Sequence, residues 1–168
     1  MLYPTLLAVH VVCGIFWGGA AISAGFFLTP AVQAAGPAGG AVMAGLIQRK
    51  FSLWMMAAAL LSLLSGGAML TLQFLNNPGW LGSREGICLQ LGGVLAILVF
   101  GEGMAVQKPQ GDRIAAVAAA VKAQGGPPSA EQQAVILDAQ GRMARAGRRG
   151  AILLLVTACL MGLHTLVR

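Results

Sequence analysis

Charge is what this sequence has least of. Eleven basic and five acidic side chains make up 10% of its 168 residues, where a soluble domain carries roughly a quarter. Positions 1–48 and 51–83 contain no Lys, Arg, Asp or Glu at all. Uncharged apolar runs longer than about 18 residues read as membrane spans, and the mean hydropathy is +0.78. Too little charge is left to solvate a globule, which excludes a soluble enzyme, a disordered tail and a nucleic-acid-binding domain. The isoelectric point near 10.1 comes with no basic stripe and no interleaved aromatics, so it reflects loop charge and not a nucleic-acid partner. Cysteine is scarce too. The three present lie in apolar segments, and an odd number cannot pair completely within one chain. The first residues, Met1-Leu2-Tyr3-Pro4, lack the basic region of a cleavable signal peptide, so the first span is expected to be retained. Motifs for phosphate loops (G-x-x-x-x-G-K-[ST]), zinc proteases (H-E-x-x-H) and C-x-x-C redox sites are absent, as is a Ser/His/Asp set within the spans.

The remaining pattern predicts an all-α protein, a single membrane domain of four transmembrane helices in an up-down bundle. The spans are expected at about 5–28, 51–75, 86–106 and 150–167. Pro30 and the Gly36-Pro37-Ala38-Gly39-Gly40 stretch are read as closing the first, Asn76-Asn77-Pro78-Gly79 as closing the second, and Lys108-Pro109 as closing the third. Residues 107–149 are mixed in polarity. Asp112 is positioned to cap a helix running to Lys122, and Gly125-Gly126-Pro127-Pro128 breaks the chain. Ser129 and Gln132 have capping-box spacing. Spans three and four are therefore expected to extend out of the bilayer as a helical hairpin. Nine basic residues fall in the first and third loops and two, Arg84 and Arg168, on the opposite side. The positive-inside rule puts those two loops, hairpin included, in the cytoplasm and both termini in the periplasm of a bacterial-type inner membrane.

Ionisable groups inside a span are costly and mark function by default. The chain has two histidines, His10 in span one and His164 in span four. In the up-down arrangement they lie roughly 9 Å and 5 Å from the outer ends of their helices. Two neutral imidazoles at matched depth on neighbouring helices suit bis-axial ligation of haem b. Gly14, one turn below His10, leaves room for a porphyrin, Trp17 shares the His10 face, and Arg84 and Arg168 can pair with propionates. Such a protein would carry electrons between a quinone or periplasmic redox partner and an acceptor, as a membrane oxidoreductase or a simple carrier, monomeric or oligomeric. A second reading is a copper-binding or copper-transport protein without haem, in which Cys13, Cys159 and Met161 join the histidines as soft ligands. A third is a structural subunit: Gly14-x-x-x-Gly18 is also a helix-packing spacing, and a membrane histidine often only hydrogen-bonds a neighbour. Glu102 ends span three, where it can snorkel, relay protons or meet Arg49 or Lys50. Trp54 and Trp80 lie where interfacial anchors are common. Arg142, Arg145 and Arg149 form a basic face suited to anionic headgroups.

Leu7-Ala8-Val9-His10, Trp17-Gly18-Gly19 and Leu28-Thr29-Pro30-Ala31 together resemble the first span of the copper-resistance-D-like (CopD-like) integral membrane family. Arg49-Lys50-Phe51 with Trp54, and Ser65-Gly66, resemble its second, and the Arg142 to Arg149 run its end. HemJ-type protoporphyrinogen oxidases share the first-span His and Trp spacing, with Pro-Arg where this chain has Pro30-Ala31. Copper-type members often open span three with His and Lys, where this chain has Cys88 and Gln90. The resemblance implies a four-helix bundle, a redox or metal role, and His10 as a ligand.

The orientation can be tested by labelling. With the three native cysteines replaced by alanine, Gly82→Cys should react with a membrane-impermeant maleimide in intact cells, and Gly126→Cys only after lysis. The opposite pattern would reverse the topology.

Overall fold

A chain that enters hydrocarbon has to satisfy its own backbone amides, and long helices do so within one segment. The computed structural model describes residues 1–163 and is helical almost throughout, with no strand among them. Helix α1 spans Leu2–Ala34, α2 Pro37–Gln48, α3 Phe51–Asn76, α4 Arg84–Gln124 and α5 Ala130–Leu163. All but α2 are long and apolar enough to cross a membrane.

Helices α1 and α4 run through the prolines expected to end them. In each, one π-helical turn precedes the proline: Ala24–Leu28 before Pro30, and Gly103–Gln107 before Pro109. Proline lacks an N–H and its ring crowds the carbonyl four residues back. Re-spacing the hydrogen bonds just upstream, with the Thr29 N–H on the Ala24 carbonyl and the Lys108 N–H on the Gly103 carbonyl, lets the helix continue. Consequently Asp112 caps nothing; it lies inside α4 and pairs with Lys108 at 2.7 Å. The glycine-rich stretch after span one also differs from expectation. Gly36 turns the chain with φ +56°, and α2 then starts at Pro37, whose missing N–H costs nothing at a first helical position. A Cβ on Gly39 would collide with the Val32 carbonyl, so α2 folds back against the end of α1. Lys50, in left-handed geometry at φ 55°, makes the next reversal at a cost of about 1 kcal/mol.

Helix α4 starts two residues before the Gly86 expected from the sequence, because Ser83 caps it, accepting from the Gly86 N–H at 3.1 Å. The later boundaries follow the sequence reading. Gly125 ends the helix at φ +68°. Ser129 and Gln132 form the reciprocal box, the Ser129 N–H donating to Gln132 Oε1 at 2.8 Å and the Gln132 N–H to Ser129 Oγ at 3.2 Å. Trp80 is not an exposed anchor; it is buried in the 3₁₀ turn Pro78–Gly82. Trp54 is exposed.

The interior is small and the exterior large, the reverse of a soluble bundle. Trp17, Ala58, Ala59, Ala96, Val99 and Leu154 form a core drawn from all four long helices, while Ile15 and Leu64 are 70% and 68% exposed. Lipid tails solvate such side chains, and helices then associate through close backbone approach at small residues. A Cβ on Gly25 would lie 2.7 Å from the Gly147 carbonyl, and one on Gly150 3.3 Å from Val99 Cγ1. These contacts join α1 and α4 to α5.

Ion pairs tie the polar half of α4 to α5. Glu102 pairs with Arg149 at 2.5 Å, not with Arg49 or Lys50, because α4 lies along α5. Asp138 bridges Arg142 at 3.1 Å and Arg113 at 3.2 Å. The hydrogen bond from Arg142, helped by the charges of Arg142 and Arg113, holds the Asp138 carboxyl below its ordinary value of 3.8 against a smaller desolvation effect. A lowered carboxylate pKa stabilises the folded form above the unfolded value and ceases to do so as pH falls through the folded one. Amide exchange over residues 110–140, corrected for intrinsic rates, should therefore be faster in Asp138→Asn than in wild type at neutral pH. The two should converge below pH 3.8. Equal protection at neutral pH would show that the bridge does not hold these helices together.

Candidate functional site

Helices α1 and α3 pack closely over much of their length, and the residues between them explain why. A Cβ on Gly14 would sit 3.4 Å from Ser62 Oγ, and one on Gly66 2.8 Å from the Cε1 of His10. The Cε1–Nδ1 edge of the imidazole thus fills a notch that only glycine leaves open. His10 Nδ1 is 2.8 Å from the backbone carbonyl of Ser62. A carbonyl only accepts, so the ring N–H is on Nδ1 and Nε2 carries the lone pair. Ser62 Oγ donates to the His10 carbonyl at 3.5 Å, and Ser65 Oγ lies 2.6 Å from the Leu61 carbonyl and 3.1 Å from that of Ser62. Both serines are buried. No hydrogen bond to Nε2 is present among the described residues.

An imidazole held through Nδ1–H to a carbonyl, with Nε2 uncommitted, has the orientation that metal-ligating histidines generally adopt. Sequence reasoning found His10 but missed what holds it. Two serines three residues apart in the middle of a charge-free span, with Gly66 next to the second, were the available clue.

The other candidate residues are spread more widely. Trp17 is buried in the central core, and Cys13 packs against it. Arg84 is exposed at the start of α4. Cys159 is exposed on α5, whereas Met161 points at α4, its Cγ 3.1 Å from where a Gly92 Cβ would be. Among the described residues no three His, Cys, Asp or Glu side chains gather closely enough to hold a metal ion. Gly14 is filled by Ser62 and leaves no void, whereas a Cβ on Gly18 or Gly19 would meet nothing within 4 Å among the described residues. His164 and Arg168 lie outside the described residues.

The notch can be tested by a matched pair. Gly66→Ala forces its new methyl onto the imidazole and should cost about 1–3 kcal/mol. Gly67→Ala, with nothing within 4 Å, should be neutral or slightly stabilising. Unfolding in mixed micelles measures both, and equal effects would mean that His10 is not held as described. Comparison of the chain with protein-family models, curated proteins and solved structures finds no match.

Proposed function

We propose that this chain is a b-type haem protein of a bacterial-type inner membrane, carrying electrons with His10 and His164 as axial ligands. The observation that carries the reading is the His10 imidazole, fixed by its Nδ1–H on the Ser62 carbonyl, with Nε2 free of any hydrogen bond to the described residues. That hydrogen bond sets the ring's rotation and leaves Nε2 as the nitrogen that can ligate.

The arrangement of α1 and α5 supports an antiparallel, up-down pairing. Gly25 meets Gly147 and Ala151, and Trp17, earlier in α1, shares a core with Leu154, later in α5. Extending that register by two turns sets His10 level with about Met161, close to the end of the described helix; His164 follows in sequence. Loop charge favours a cytoplasmic basic end, with the α4–α5 hairpin, and periplasmic termini. When bound, haem would supply a one-electron couple, with His10 and His164 holding its iron. The chain's own part is to orient His10 and to keep water from it with the apolar bundle. A quinone or a periplasmic redox protein is the fitting partner. The resemblance of His10, Trp17-Gly18-Gly19 and Ser65-Gly66 to the copper-resistance-D-like family agrees with a redox or metal role.

The copper alternative is the weaker one. It requires Cys13, Cys159 and Met161 to converge on His10, but Cys13 packs on the core, Cys159 is exposed and Met161 is committed to Gly92.

The test is an absorption spectrum of detergent-purified protein made with ample haem, oxidised and then reduced with dithionite. A sharp Soret band with resolved α and β bands is expected, and it should disappear in folded His10→Ala and His164→Ala variants. A featureless wild-type spectrum, or full spectra in both variants, would overturn the reading. Near-stoichiometric copper lost on Cys13→Ala would establish the alternative.

A further inference from the structure

The four arginines of positions 142–149 do not form one uniform basic face. Arg142 is bound by Asp138 and Arg149 by Glu102. Arg145 and Arg148 make no ion pair or side-chain hydrogen bond with the described residues, and they turn into a common cleft. Its opposite wall is the end of α1, where Thr29, Pro30 and Gln33 follow the π turn. The Thr29 hydroxyl and the Gln33 amide are likewise unengaged among the described residues. Gly25, seated on the Gly147 carbonyl, closes one end. No acidic side chain lines the cleft.

We infer that this cleft binds the phosphate of an anionic phospholipid. Two guanidinium groups with five N–H donors each match phosphate oxygens in a way that one lysine-type point charge does not. A hydroxyl and a primary amide complete the polar lining. The volume, about 210 Å³, is below the roughly 300 Å³ at which sites for whole drug-sized ligands begin, so it takes a headgroup and not a complete metabolite. Position selects the lipid over a free ion. The charge-free run of α5 begins at Gly150, directly after these arginines, and Arg148 lies at the level where headgroups meet hydrocarbon. The π turn in α1 matters here as well: it carries the helix past Pro30, so that Thr29 and Gln33 come to face α5.

The experiment is native mass spectrometry of the full detergent-purified chain with added phosphatidylglycerol, phosphatidylcholine or inorganic phosphate. The wild type should retain phosphatidylglycerol in clear preference to phosphatidylcholine. In the Arg145→Gln/Arg148→Gln double variant retention of phosphatidylglycerol should fall by about tenfold or more. Arg142→Gln, whose side chain already serves Asp138, should bind as wild type does. Thr29→Val, which leaves the charges in place, should weaken phosphatidylglycerol retention by a smaller factor. Unfolding curves of all variants establish that each is folded. Equal retention of the two lipids, an unchanged double variant, or an equal loss in Arg142→Gln would overturn the inference. So would inorganic phosphate that binds alone and displaces the lipid, since the site would then belong to a free anion.

Discussion

In a bilayer core no water is present to take a hydrogen bond that the chain leaves open, and each unsatisfied amide or carbonyl costs several kcal/mol. The same intrachain pairing, kept up to the ends of the apolar runs and past them, is seen in the least expected parts of this protein. Pro30 and Pro109 each remove one donor from a helix, and in each case a π turn stands immediately before the proline. The chain re-spaces its hydrogen bonds where the defect falls and does not break. The helices stay continuous past the apolar region, and everything attached to their far ends inherits its position from those two turns: the α4–α5 ion pairs, the arginine cleft, and the return of α2 against α1.

Helix association obeys the same solvent. Apolar surface gains little by leaving lipid for protein, so contact comes from backbones brought close at Gly14, Gly25, Gly66, Gly92 and Gly150. His10 is a large polar group admitted to such a contact, as Gln107 is against Gly147, and it enters only because Gly66 has no side chain. Its Nδ1–H reaches a carbonyl that already belongs to the helix ladder, a usual arrangement for polar side chains in apolar surroundings. What sets His10 apart is the second nitrogen, which that arrangement leaves over.

Much of this was legible in the amino-acid order. Hydropathy and charge-free length located the four long helices, since those properties are summed over many residues and tolerate local exceptions. The Ser129–Gln132 box and the Gly125 stop were readable because each is a local geometry with a small set of suitable residues. Pro30, Pro109 and Asp112 misled because a π turn carries no composition of its own; the sequence shows the defect and not its repair. The partner of Glu102 was a matter of which helices are neighbours, and Arg149 is 47 positions away. Ser62 escaped notice because it acts through its backbone carbonyl, an atom common to every residue. The arginine cleft was half visible: the charges were counted, but which of them were already spent could not be known without the fold.

Helix α4 has 41 residues, about 60 Å at the helical rise, against a hydrocarbon thickness of about 30 Å. No ordinary tilt absorbs that excess; on the proposed topology a rod of roughly 25 Å, from Lys108 onward, stands clear of the hydrocarbon with α5 beside it. The Debye length at physiological ionic strength is about 8 Å. With the headgroups included the bilayer is about 40–45 Å thick, so on that topology the turn at Gly125–Ser129 sits about two screening lengths beyond the lipid surface, where little of its potential is left. Whatever meets that tip meets it as a solution-phase object, while the arginines at the base remain within the field of the lipids.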